Sequence, residues 1–445
     1  MIFGLEGTVE CKARPSIKFK FFSVKSLLIF LLFAAPTIQY RMELGAFSFA
    51  LMEPVVLLVS AVLLIHQVVQ YQRLVVPKEP LVFFFMAMTL WAFTIRSWAS
   101  NWQNGLSDIR DWAIPLLGFI TLSSTIRRGW LKWIKVFLIL VWLNAWLGIY
   151  QHFTNGFRPF ISELAVYKTG FTLSPEGKPA LVSFAVGLFS HPNGFAIYLF
   201  AGLMMALGEF YKSSKKLPFF IIIILPIALS LYWTYAKTTL LILAGLIPFT
   251  WLERRVRSNK TFWAFVSMGL IAGLMTLWQI AKYVPAALLA TFWWRVGLWN
   301  TGLITLGNFP HVLLVGNGLD IFANSAYYGQ PHNLYLYIVL QYGLPGLLII
   351  ILLALYILKQ GNRLRRSGWM RSEPILAALW LGLLGYFAIG MMESNLMGIE
   401  SRAIFMTLSV CFTGLAREVT TSQTARLETR GAIYANRKAE RLGNI

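Results

Sequence analysis

The sequence predicts an all-α, polytopic membrane protein, and three observations carry that reading. Hydrophobic residues make up 57% of the 445 and charged residues only 13%, with a mean hydropathy of +0.64, which is more apolar surface than a soluble core of this length buries. The apolar residues gather in runs close to the ~17–25 residues that cross a bilayer as a helix. The connections between those runs are alternately rich and poor in lysine and arginine, the signature of basic loops retained in the cytoplasm.

Taken in order, the runs lie near 24–40, 47–70, 81–95, 112–126, 133–152, 192–209, 217–234, 238–252, 262–281, 332–358, 374–392 and 401–416. That is about 12 transmembrane helices, with a large outer loop before the tenth span. The uncharged stretch from Leu217 to Leu252 is broken only by Lys237; as one helix it would extend about 54 Å, so it must fold as a hairpin of two short spans. The domain organisation is a basic arm over 1–23, a membrane domain over 24–416 and a polar, basic, partly helical tail over 417–445.

With both termini placed in the cytoplasm, 29 of the 39 basic residues fall on the inner side. The net charge of +21 is then a record of topology and anionic-lipid contact, and it needs no nucleic acid partner. The N-terminal arm is basic ahead of an apolar run, but no small-residue cleavage site follows, so it reads as a retained first helix. Cys11 in the arm and Cys411 in the last span are placed where no disulfide framework forms.

The outer side carries the chemistry. Two of its connections are long, 153–191 and 282–331, and long loops in compact proteins usually carry function. The first ends in Ser190-His191-Pro192-Asn193-Gly194 and the second in Gln330-Pro331-His332-Asn333, each where the chain enters a new span. Proline and asparagine suit a helix start, but capping does not require the histidines. His332 and His191 are read either as hydrogen-bonded interfacial histidines or as working groups. At a helix N-terminus the dipole disfavours imidazolium, which suits His332 to accept a hydroxyl proton. The 27 residues from His332 to Leu358 make about 40 Å of helix against about 30 Å of hydrocarbon, which lifts the first turn into an outer vestibule.

Two cations join it. Lys237, at the outer hairpin, is a snorkelling anchor or an anion ligand. Arg295, in Phe292-Trp293-Trp294-Arg295-Val296-Gly297-Leu298-Trp299, belongs to an aromatic segment suited to the headgroup plane, where Trp and Arg serve as anchors or as a site. Arg96, Arg110, Lys282 and Arg402 have weaker cases. The outer acids (Glu43, Asp108, Asp111, Glu163, Glu176, Asp320, Glu393, Glu400) make no Asp-X-Asp pair or His-rich metal spacing. There is no Gly-X-Ser-X-Gly, phosphate loop or dinucleotide fingerprint. A base, several cations and no metal or cofactor signature fit chemistry whose leaving group is a lipid diphosphate.

Four segments, SHPNGFAIYL (190–199), YAKTTLLIL (235–243), WRVGLW (294–299) and PHNLYLYIVLQYGLPG (331–346), occur in an order and spacing that resembles the O-antigen ligase and Wzy-type polysaccharide polymerase superfamily of membrane glycosyltransferases. That resemblance implies a bacterial inner-membrane enzyme. It would take glycan from an undecaprenyl-diphosphate donor on the outer leaflet, without metal, and pass it to an acceptor sugar, either lipid A-core or a second lipid-linked glycan. It implies His332 as catalytic base or acceptor-orienting residue, Arg295 as a donor-diphosphate ligand, and Lys237 where the family usually has arginine, a change that keeps charge but loses bidentate geometry. Asn333 and Gly318 would shape the site, and His191 with Asn193 resembles the HPN of the exopolysaccharide-polymerase branch. The rival reading is a polysaccharide transporter or lipid flippase with the outer cations as a funnel; Glu53 is its one candidate for a buried mid-span acid.

Overall fold

A computed structural model describes residues 23–37, 41–44, 47–72, 77, 79–97, 102–154, 169–173, 179–189, 191–281, 286–316, 331–393 and 398–442. Cys11, most of the basic arm, Gly318, Asp320 and parts of both long outer connections lie outside the described residues.

The fold is helical, and a helix occupies each of the twelve apolar runs. They are α1 (Val24–Ala34), α2 (Met52–Tyr71), α3 (Pro80–Ser97), α4 (Trp102–Thr125), α5 (Trp130–Phe153), α6 (Pro192–Lys212), α7 (Lys216–Tyr232), α8 (Lys237–Arg255) and α9 (Asn259–Ala281). After them come α10 (Ala286–Asn308), α11 (Pro310–Val315), α12 (Leu334–Arg366), α13 (Trp369–Ser372), α14 (Pro374–Ile389) and α15 (Ile399–Leu442). Two small antiparallel hairpins, Arg41–Leu44 with Phe47–Ala50 and Thr169–Leu173 with Pro179–Ser183, sit between helices. Among the described residues, α2, α5, α6, α12 and the Ile399–Ser422 part of α15 are long and apolar enough to cross a membrane. Large apolar side chains stand exposed along α2 (Leu58, Ile65, Val69) and α3 (Phe83, Leu90, Phe93), which in water would be a liability and in lipid is the ordinary outer face. The helices α6 and α14 pack against each other at the centre and are buried on nearly every side.

Several boundaries differ from the sequence expectation, each for a physical reason. The run at 47–70 begins as a helix only at Met52, because Phe47–Ala50 pairs in a hairpin and the Glu53 carboxylate accepts the Ala50 amide at 2.7 Å. The run at 112–126 is a helix from Trp102, and two polar residues of the added turns have partners elsewhere: Asp108 meets Arg402 at 3.2 Å and Arg110 meets Glu53 at 3.3 Å. The connection 282–331 holds two helices, α10 and α11, in place of an open loop. The last helix runs from Ile399 through 417 to Leu442, so the span and much of the tail are one element.

The stretch between Leu217 and Leu252 is broken as expected, by a turn at Thr234 and Tyr235 that separates α7 from α8. Residues Phe220–Ile224 of α7 are π-helical, and the Trp142 indole donates to the Ile222 carbonyl there at 2.6 Å, satisfying backbone that the widened turn sets free. The break in the Gly-Leu-Pro-Gly segment is also present. Gly343 has φ +66° inside α12, and Gly316, at φ +79°, meets it from the end of α11. A Cβ on Gly343 would lie 2.5 Å from the Leu314 carbonyl oxygen, so only glycine accommodates both the conformation and the approach.

Candidate functional site

The turn that follows α14 organises one end of the bundle, because four consecutive residues each hold something. The Gly390 carbonyl accepts the Leu334 amide at 2.7 Å and the Met391 carbonyl accepts Asn333 Nδ2 at 2.9 Å. The Met392 carbonyl accepts Arg295 Nη1 at 2.8 Å. Glu393, with a side chain only 10% exposed, accepts Arg295 Nη2 on Oε1 at 2.6 Å, while its Oε2 lies 3.2 Å from His332 Nδ1 and 3.4 Å from Asn193 Nδ2. One carboxylate therefore joins the starts of α6 and α12 to the middle of α10.

His332 sits two residues ahead of α12, outside its first turn, and Asn333 is the cap: its Oδ1 accepts the Leu336 amide at 3.0 Å. The His332 backbone is left-handed at φ +44°, a conformation costing about 1–2 kcal/mol for a residue with a Cβ, and the bonds of Asn333 and Leu334 to the turn hold it there. A carboxylate only accepts, so the nitrogen facing Glu393 carries the proton of a neutral ring, and Nε2 is left as the acceptor. The ring is 28% exposed and lies 5.3 Å from that of Trp294.

Arg295 uses three of its N–H groups on protein: Thr238 Oγ1 at 3.3 Å, the Met392 carbonyl and Glu393. A guanidinium has five, so two have no partner among the described residues and can meet an anion. Lys237 precedes Thr238, is exposed, and its side chain has no hydrogen-bond or ion-pair partner among the described residues. It occupies the first position of α8, where the macrodipole disfavours a cation and an incoming anion is favoured.

His191 caps α6 by accepting the Asn193 amide on Nδ1 at 3.1 Å, which requires that nitrogen to be unprotonated. The residue as a whole is exposed, yet its ring is enclosed enough for desolvation to lower its pKa; Glu393 opposes this shift and His332 adds to it.

Of the residues singled out from sequence, the structure gathers His332, Arg295 and Asn193 around Glu393. His191 and Asn333 stand at the adjoining caps, and Lys237 is one residue from an Arg295 contact. Arg402 and Arg110 lie in other pairs, with Asp108 and Glu53. Glu53 itself is in the first turn of α2, paired with Arg110 and capping Ala50, so it is a structural acid at a helix end and not a mid-span relay. Sequence reasoning passed over Glu393 because it looked for paired acids. The available signal was a single acid, in Met391-Met392-Glu393-Ser394-Asn395, just past a span on the same side as His332. Among the described residues no group of three or more His, Cys, Asp or Glu forms a metal-ligand set. No protein-family model and no curated protein matches the chain.

Proposed function

We propose that the protein is a membrane glycosyltransferase that moves glycan from undecaprenyl diphosphate to a sugar hydroxyl on the outer face of a bacterial inner membrane. On this reading the helices make twelve crossings and both termini are cytoplasmic. The observation that carries the reading is the Glu393 bridge, which supports a histidine poised as a base and an arginine with donors to spare in one small site. His332 Nε2 takes the proton from the acceptor hydroxyl as its oxygen attacks the anomeric carbon. The bond from that carbon to the diphosphate oxygen breaks, and its electron pair leaves with undecaprenyl diphosphate. Arg295 and Lys237 meet the charge that develops on the leaving group, and Glu393 stabilises the imidazolium formed at His332. A single displacement inverts the anomeric carbon. The donor and acceptor classes come from the resemblance of the four sequence segments; the carboxylate–histidine pair supplies the chemistry.

The test is to mix purified protein in detergent, without an ion gradient, with lipid-linked repeats alone or together with lipid A-core. A ladder from repeats alone identifies a polymerase and transfer only to core identifies a ligase. EDTA leaves either activity intact. No transfer under either condition, with substrate uptake in vesicles instead, overturns the reading in favour of a transporter.

A further inference from the structure

The displacement leaves His191 without a task, yet its bonds fix what its ring can do. The chain enters α6 through His191-Pro192-Asn193. Pro192 has no N–H to satisfy, so the first amide that needs a cap is that of Asn193, and His191 Nδ1 accepts it at 3.1 Å. A backbone N–H only donates, so Nδ1 is bare and a neutral ring carries its proton on Nε2, at the edge away from the cap. His332 is the reverse: its Nδ1 holds the proton against Glu393 at 3.2 Å and its Nε2 accepts. The two imidazoles therefore present opposite groups.

They belong to one site. Asn193 places its Nδ2 3.4 Å from the same Glu393 oxygen that faces His332, and both Glu393 and His332 act electrostatically on the His191 ring. The ring also favours its neutral form, because desolvation lowers its pKa and a protonated Nδ1 would lose the cap and face the positive end of α6. Capping alone has no need of this residue, since Ser, Thr, Asp and Asn are the side chains that favour the position. What imidazole adds to them is a donor on the edge opposite the capping atom.

We infer that His191 is a catalytic hydrogen-bond donor whose Nε2–H meets an oxygen of the departing diphosphate. The inference rests on the displacement proposed for the site. A diphosphate oxygen only accepts, and the negative charge that gathers there as the anomeric bond breaks strengthens the contact at the moment of reaction. The proton stays on His191, and the leaving group departs as the full anion with the electron pair of the broken bond. A neutral imidazole whose pKa is lowered at a helix N-terminus is a known form of electrophile. It complements Arg295 and Lys237 by responding to developing charge without adding a further cation.

Asparagine sets its side-chain oxygen where Nδ1 stands and glutamine sets its amide where Nε2 stands, so two variants separate the cap from the donor. His191→Asn should melt as wild type at pH 7.5 and lose about 100-fold in kcat for transfer from lipid-linked repeats, the usual cost of one oxyanion donor. His191→Gln should melt lower than wild type and still transfer faster than H191N. Affinity for undecaprenyl diphosphate, measured by native mass spectrometry of the full chain in detergent, should fall about tenfold in H191N, as for one hydrogen bond to a charged group. His191→Ser, another capping side chain without the donor, stands in for H191N if that variant does not fold. Transfer by H191N at the wild-type rate, or H191Q slower than H191N, overturns the role of His191 and leaves the proposed function standing. Slower transfer with unchanged undecaprenyl diphosphate affinity assigns the contact to a sugar oxygen and also overturns it. No transfer by wild type overturns the proposed function, and the role of His191 with it.

Discussion

Exchanging Glu393 for glutamine isolates the proton logic of the site. Glu393→Gln keeps the shape and turns one of two accepting oxygens into a donor. If the new NH2 faced Arg295, it would oppose a guanidinium that now stands 2.6 Å from Oε1, and a charge-assisted bond would become a repulsion. The amide therefore turns its NH2 towards His332, 3.2 Å away. The Nδ1 nitrogen must then accept, which puts the ring proton on Nε2 and leaves no base for the acceptor hydroxyl. The same carboxylate-to-amide exchange at a carboxylate–histidine pair costs about 10⁴ in turnover elsewhere, and general-base catalysis is worth about 10²–10⁴. E393Q should thus lose about 10²–10⁴ in kcat, or about 3–5 kcal/mol of transition-state stabilisation. Arg295 retains a neutral acceptor, so donor KM should change little and folding stability should fall by only about 1 kcal/mol. The assay is initial-rate transfer from a lipid-linked donor in detergent, alongside thermal unfolding. Turnover within threefold of wild type in a folded E393Q protein would refute the reasoning.

Three further outcomes are expected. Because burial lowers the His191 pKa, the folded state resists protonation. The stabilising contribution is present above the unfolded value of about 6.5 and is lost as pH falls from there through the lowered folded value. His191→Asn keeps a capping acceptor without a titration, so the drop in melting temperature from pH 7.5 to pH 5 should shrink; an unchanged drop assigns it to other groups. Gly343→Ala forces a Cβ towards the Leu314 carbonyl at a left-handed position and should cost about 1–3 kcal/mol from the backbone alone, measured by thermal unfolding, with transfer falling as the outer part of α12 shifts. Asp108→Ala leaves Arg402, which has no exposed surface and lies 4.3 Å from the Trp112 ring, without its 3.2 Å carboxylate partner. The loss should be about 3–5 kcal/mol, and the double variant D108A/R402M should recover part of it in a double-mutant cycle.

The helices were legible in the sequence because hydropathy is a nearly sufficient signal for long apolar helices: each apolar run holds a helix, and the turn before Lys237 and the break at Gly343 appeared where chain length and Gly-Pro chemistry demanded them. The ends of helices were less legible. Asp108 and Arg110 lower the hydropathy of α4 and hide ten helical residues; these two side chains are paired with Arg402 and Glu53 from distant segments. The segment 282–331 read as loop because its aromatic residues lack a span's uniform apolarity, yet they build α10. His332, Arg295 and Asn193 were found as motif residues and helix-start polar groups. Glu393, which joins them, has no motif, and its importance arises from a turn that returns to α12 across 61 positions.

The most direct test of the central claim is release of undecaprenyl diphosphate coupled to a new glycosidic bond, measured for purified wild type and His332→Ala side by side. The account predicts stoichiometric release and transfer by wild type, and loss of both by a folded H332A protein that still binds donor. Transfer by H332A at the wild-type rate would contradict it.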